Sequence, residues 1–170
     1  MQSESARATT SAESAFRVQS PNSRSRFIKV IATDSSSSRI AHHLAELSWN
    51  NAEFFAPSLS ASPALTAPAD LLDHQFCRTN GQPAKVLDAI EAADFVLLIV
   101  HAGNDAKLAL YLGSCCASQN VSSVAIVLTN GLTKSDAYKS TVTDIRRSTS
   151  LVAFIDEPDV IEAMLAALRA

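Results

Sequence analysis

Ile28-Lys29-Val30-Ile31-Ala32-Thr33-Asp34-Ser35-Ser36-Ser37-Ser38-Arg39 decides the fold of this chain. The apolar run reads as a buried strand, and the polar residues after it read as the N-terminus of a helix. Nucleotide-binding α/β proteins place a glycine-rich phosphate loop at this junction, because glycines let the backbone approach a pyrophosphate that the helix dipole attracts. Here every one of those glycines is missing. The stretch therefore points to a nucleotide-binding scaffold whose nucleotide site has decayed or been repurposed.

Downstream, apolar runs of strand length alternate with segments of helical period, the pattern of a parallel sheet covered by helices. Strands are expected at 27–33, 52–56, 94–101, 122–129 and 151–155. Between them, Ser36 to Trp49 sets Ile40, Leu44 and Leu47 on one helical face, and Pro83 to Ala92 does the same with Val86, Leu87 and Ile90. Asp105 to Gln119 and Ser135 to Arg147 continue the alternation, and Pro158 opens a last helix with Val160, Ile161, Met164, Leu165 and Leu168. The expected fold is α/β: a three-layer Rossmann-like sandwich with a mostly parallel sheet of five or six strands and helices on both faces. Residues 57–80 interrupt the rhythm with Pro57, Pro63 and Pro68 in a Ser/Ala-rich stretch, and predict a long surface excursion with one short strand near Leu71 to Phe76.

At 170 residues, 47% hydrophobic and 18% charged, the composition fits one soluble domain. Residues 1–26 hold seven Ser and four Arg with few large apolar groups, so a disordered tail is expected there, followed by a single domain over 27–170. Residues 27–170 carry ten basic and fifteen acidic groups, which argues against nucleic acid as a ligand. The longest apolar segment, Phe95 to Val100, falls far short of the roughly 20 residues a membrane-spanning helix needs, and no membrane span is expected. Three cysteines, two of them adjacent at Cys115 and Cys116, form neither a disulfide framework nor a zinc spacing, which suits a reducing, cytoplasmic compartment. His42 and His43, being adjacent on a helix, point in different directions, so at least one faces solvent, and Trp49 reads as core.

Ligands of such sheets bind beyond the carboxyl ends of the strands, so the candidate site residues lie there. Phosphate-loop candidates are Asp34, Ser35, Ser36, Ser37, Ser38 and Arg39. Against a dinucleotide fingerprint, Ala32, Asp34 and Ser37 stand where three glycines are needed, and the Asp34 carboxylate would repel a pyrophosphate. Two readings of the loop stay open: the serines donate hydrogen bonds to a phosphate, or Asp34 or Ser35 simply caps the helix. Pocket candidates at the other strand ends are His101, Gly103, Asn104, Asp105, Thr129 and Asn130. His101 with Asp34, Asp105 and Asp156 is the constellation a small hydrolase-type enzyme would use, with imidazole as general base or carboxylates on Mg²⁺. The same residues are also usual helix caps and turn formers.

Ile28 to Ala56 resembles the opening of FtsZ, the bacterial tubulin-like GTPase, without a gap: Ile28-Lys29-Val30-Ile31 matches its first strand and Ala52-Glu53-Phe54-Phe55-Ala56 its second. Ala92-Ala93-Asp94-Phe95-Val96, Ser123-Val124-Ala125-Ile126-Val127 and Leu151-Val152-Ala153-Phe154-Ile155-Asp156 with Val160-Ile161-Glu162 are similar to later elements, so the resemblance covers residues 28–165. It implies a GTP or GDP site with Mg²⁺ and assembly with other copies. The departures imply its decay. The family's Gly-Gly-Gly-Thr-Gly-Thr-Gly signature is reduced to Ala102-Gly103-Asn104-Asp105, and one glycine cannot present that series of amides. The residues at hand stop at Ala170, short of the family's central helix, catalytic acidic loop and second domain, so the resemblance implies a truncated relative without hydrolytic groups. No catalytic residue and no metal ligand is assigned.

The first functional reading is therefore a non-catalytic binding or assembly module acting through another protein or a second copy, with a homodimer as one form. The alternatives are a phosphate or nucleotide binder using Ser35 to Ser38, and an enzyme using His101. A phosphate binder requires the Ser36 to Ser38 amides to face an open pocket; a module requires that space to be filled by side chains; an enzyme requires His101 within reach of a carboxylate beside a cleft.

Overall fold

The computed structural model describes residues 26–58, 76–129, 131, 135–168 and 170. Eleven elements follow one another: β1 (Ile28–Ala32), α1 (Ser35–Ala45), β2 (Ala52–Pro57), β3 (Phe76–Arg78), α2 (Val86–Glu91), β4 (Phe95–His101), α3 (Lys107–Ser118), β5 (Ser122–Leu128), α4 (Asp136–Arg146), β6 (Leu151–Ile155) and α5 (Asp159–Ala167). They build one six-stranded sheet in the order β3-β2-β1-β4-β5-β6. Every neighbouring pair is parallel except β2 with β3, which is antiparallel. This is the doubly wound α/β arrangement of a Rossmann-like sandwich, with an antiparallel edge.

Alternation along the strands decides which side chains meet which helices. Ile28, Val30, Phe54, Leu97, Ile99, Val124, Ile126 and Leu128 point to one face, where Leu44 of α1 and Ile161 and Leu165 of α5 complete a core. Ile31, Phe55, Val96, Leu98, Val100, Ala125 and Val127 point to the other, against Val86 and Ile90 of α2, Ala109, Leu112 and Cys116 of α3 and Ile145 of α4. The central strands β1 and β4 are buried on both faces, which is why they read as near-continuous apolar runs. Each large side chain so buried contributes roughly 1.5–3 kcal/mol. Lys29 is the exception in β1. It is almost fully buried, and its Nζ reaches Glu53 Oε2 at 3.0 Å on β2, directly across the register.

Three element boundaries differ from the sequence reading, each for a local reason. The first helix stops at Ala45 instead of running to Trp49; past it, Leu44 O accepts from Leu47 N at 3.1 Å in a tighter turn and from the Trp49 indole N–H at 2.7 Å. The second helix, α2, does not begin at Pro83, which bridges to Cys77, while Ala84 N–H donates to Phe76 O; the chain is still extended there and turns helical at Val86. The short strand of the excursion lies at Phe76–Arg78, sharing Phe76 with the expected stretch; residues 59–75, which include the rest of that stretch from Leu71, lie outside the described residues, as do residues 1–25 of the N-terminal tail. Among the described residues no helix is long and apolar enough to cross a membrane.

Candidate functional site

With β1 and β4 adjacent and their crossovers leaving to opposite sides, the gap beyond their carboxyl ends is the topological switch point, where this fold class receives ligands. The residues flanking that gap are Asp34, after β1, and His101, the last residue of β4.

Asp34 is the N-cap of α1, in extended conformation, and its carboxylate is fully engaged in the protein. Oδ1 accepts from Ser36 N at 2.9 Å and from Ser37 N at 2.8 Å. Oδ2 accepts from the backbone N–H of His101 at 3.1 Å, tying the end of β4 to the start of α1. Ser38 N donates to Asp34 O at 2.9 Å, the first regular helical bond. Ser37 completes the cap from the other side. Its buried Oγ accepts from Thr33 N at 3.1 Å and Asp34 N at 3.0 Å and donates to Asp34 O at 3.0 Å. The Ser36, Ser37 and Ser38 amides, which a phosphate would have to recruit, are thus all occupied by Asp34. Of the two readings the sequence left open for this loop, capping is the one realised in these hydrogen bonds.

The remaining loop candidates do not converge on the amides. Ser35 and Arg39 are exposed. Arg39 instead lines a cleft of about 240 Å³ between α1 and α5, with His43, Asp159 and Glu162.

His101 and Asp34 do come together. Their side chains are 16% and 14% exposed, and His101 Nδ1 lies 3.4 Å from Asp34 Oδ1, yet Nδ1 is buried without an aligned hydrogen bond. The other candidates serve turns. Gly103 has φ +90°, a conformation that favours glycine, and its N–H donates to Thr141 Oγ1 on α4 at 3.3 Å. Thr141 Oγ1 also lies 3.0 Å from Asn104 O, so one hydroxyl pins this turn to α4. Asp105 is exposed, accepts from Lys107 N at 2.9 Å and pairs with Lys107 Nζ at 3.2 Å, at the start of α3. Buried Thr129 donates through Oγ1 to Asp156, joining the ends of β5 and β6. Asn130 lies outside the described residues. Clefts of about 290, 400 and 240 Å³ lined by described residues do not include Asp34 or His101. Among the described residues no group of three or more His, Cys, Asp or Glu is placed to hold a metal ion.

The secondary candidates are structural. Cys116 is buried on α3, and burial, then repulsion from Cys115, pushes its thiol up to about 12, away from the reactive thiolate. Burial also raises Cys115. His42 and His43 are both exposed, the first with Nδ1 2.7 Å from Ser38 O. Sequence reasoning missed the reciprocal role of Ser37, for which the Asp34-x-x-Ser37 spacing was a legible signal. It also missed Thr141, whose link to Gly103 spans 38 residues and leaves no local trace.

No family model and no curated protein matches this chain.

Proposed function

We propose that this chain is a non-catalytic binding or assembly module: an FtsZ-like, Rossmann-like platform whose nucleotide loop has decayed, working in the cytoplasm through contact with another protein or a second copy. The observation that carries the reading is the Asp34 carboxylate seated on the Ser36, Ser37 and His101 amides at the switch point, where a ligand phosphate would otherwise lie. A carboxylate fixed in that position repels an incoming phosphate and has already satisfied the donors it would use. This favours the module over a phosphate or nucleotide binder built on Ser35 to Ser38. The hydrolase reading keeps one supporting observation, the buried His101 Nδ1 beside Asp34, but that carboxylate already serves three amides and Asp105 is engaged by Lys107.

Isothermal calorimetry of the full chain with GTP and GDP, with and without Mg²⁺, tests the proposal. No binding is expected up to ligand concentrations on the order of 1 mM. Saturable binding in the micromolar range would overturn the module reading and restore the nucleotide one.

A further inference from the structure

β6 ends the sheet, and nothing among the described residues pairs with its outer edge. Natural proteins guard such edges with short strands, charged side chains, proline or bulges, because unpaired amides and carbonyls are a template for another strand. The opposite edge is guarded in this way: β3 has three residues, carries Arg78, and is bridged at Cys77 by Pro83. β6 has no such guard. Leu151-Val152-Ala153-Phe154-Ile155 contains neither charge nor proline. Of the four large apolar side chains exposed among the described residues, two lie on β6, Leu151 at 57% and Phe154 at 39%, and a third, Val160 at 43%, lies in the first turn of α5. The exposure falls on both faces of the edge: Leu151, paired with Val124, stands on the α5 side, and Phe154, paired with Val127, on the α4 side, where the Tyr138 ring lies 6.1 Å and the Arg146 guanidinium 5.9 Å from its ring centroid.

We infer that β6 pairs antiparallel with β6 of a second copy, joining two sheets across a two-fold axis. The inference rests on reading the chain as an assembly module, and names its partner. Charge selects the direction. The strand is preceded by exposed Arg146 and Arg147 and followed by exposed Asp156, Glu157 and Asp159. Antiparallel pairing sets the basic end of each copy against the acidic end of the other, twice, whereas parallel pairing sets like against like.

Geometry selects the register. A two-fold perpendicular to the sheet keeps each face with its like, so opposed residues must share a face, and a one-residue slip is forbidden. Centring the axis on Ala153 pairs the whole strand. Leu151 then opposes Ile155 of the second copy and Val152 opposes Phe154, and the turn after Arg147, at the end of α4, comes beside the turn before Asp159, at the start of α5, in the other copy. Because the same edge is used by both copies, the contact closes as a dimer and does not propagate.

Sedimentation velocity of the full chain, from about 1 to 100 µM, reads the outcome. The expected species has twice the mass of the 18.1 kDa chain. Arg147→Glu and Asp159→Arg should each raise the dissociation constant by about tenfold, and the double variant should restore it to within about threefold of wild type. Leu151→Lys should abolish the dimer while leaving the melting temperature of the monomer unchanged, since the side chain is exposed. A monomer at all concentrations, whether because another segment of the chain covers β6 or because the edge serves a different protein, overturns the pairing. A dimer indifferent to Leu151→Lys and to the charge swaps overturns it as well. Calorimetry with GTP on the same samples separates the two failures: a monomer silent to GTP refutes the pairing alone, and a chain that binds GTP refutes the module reading whatever its mass.

Discussion

Replacing Asp34 by alanine removes one carboxylate that accepts three backbone N–H bonds, two at the start of α1 and one at the end of β4. Loss of a helix N-cap costs about 1 kcal/mol, and leaving the part-buried His101 amide without its charged acceptor adds about 2 kcal/mol. Ser37 keeps its half of the cap, because its hydroxyl bonds Thr33 N, Asp34 N and Asp34 O without using the Asp34 side chain. The sum is roughly 3 kcal/mol, which in a chain of 170 residues corresponds to a fall in melting temperature of about 6–12 °C. Asp34→Asn retains a carbonyl oxygen for the helix amides and should cost roughly 1 kcal/mol. Urea unfolding at pH 7 with an unchanged m value measures both. The variant also carries a second readout. With the carboxylate gone, the Ser36 and Ser37 amides are free at a helix N-terminus, so millimolar inorganic phosphate should raise the stability of Asp34→Ala and leave wild type unmoved. An alanine variant within about 0.5 kcal/mol of wild type, or one that phosphate does not stabilise, would refute the idea that Asp34 holds the place of a ligand.

Two further outcomes are specific to this packing. Gly113→Ala gains up to about 1 kcal/mol of helix propensity, but its Cβ would stand 2.7 Å from the Ser148 carbonyl oxygen, so urea unfolding should show a net loss of about 1–3 kcal/mol. Cys116 keeps its proton in the folded state up to about 12 against an ordinary value of 9.0, so the stability it contributes is intact below pH 9 and is lost as pH rises toward 12. The pH dependence of unfolding over that window should therefore be flatter in Cys116→Ala than in wild type, and an identical slope would contradict the burial of the thiol.

The fold was legible in the sequence where the physics is local or periodic. β1, β4 and β5 are apolar runs buried on both faces, and no helical period fits them; α4 and α5 announce themselves by Ser135 and Pro158 at their starts. The extent of β3 beyond Phe76 was not legible, because Cys77 and Arg78 pair with Phe55 and Ala56, a contact with no pattern of its own. Within the candidate site, both fates of Asp34 were readable, but the choice between them was not. It depends on the His101 amide, 67 residues away, which fixes the second carboxylate oxygen. Of the hydrolase constellation, His101 and Asp34 come together, and the other two carboxylates take local partners. Asp105 and Asp156 sit at strand ends as expected, yet each is drawn to a nearer donor, the Lys107 amide and the Thr129 hydroxyl. The bare edge of β6 was invisible as an edge until the strand order placed it last.

Whether the switch point still takes an anion can be read from a phosphate and GDP titration of the ¹⁵N-labelled full chain, followed at the backbone amides of Ser36, Ser37, Ser38 and His101. With Asp34 bonded to those amides, their resonances should stay in place at ligand concentrations on the order of 1 mM. Saturable shifts confined to those four amides would show a living phosphate site, and would contradict the account.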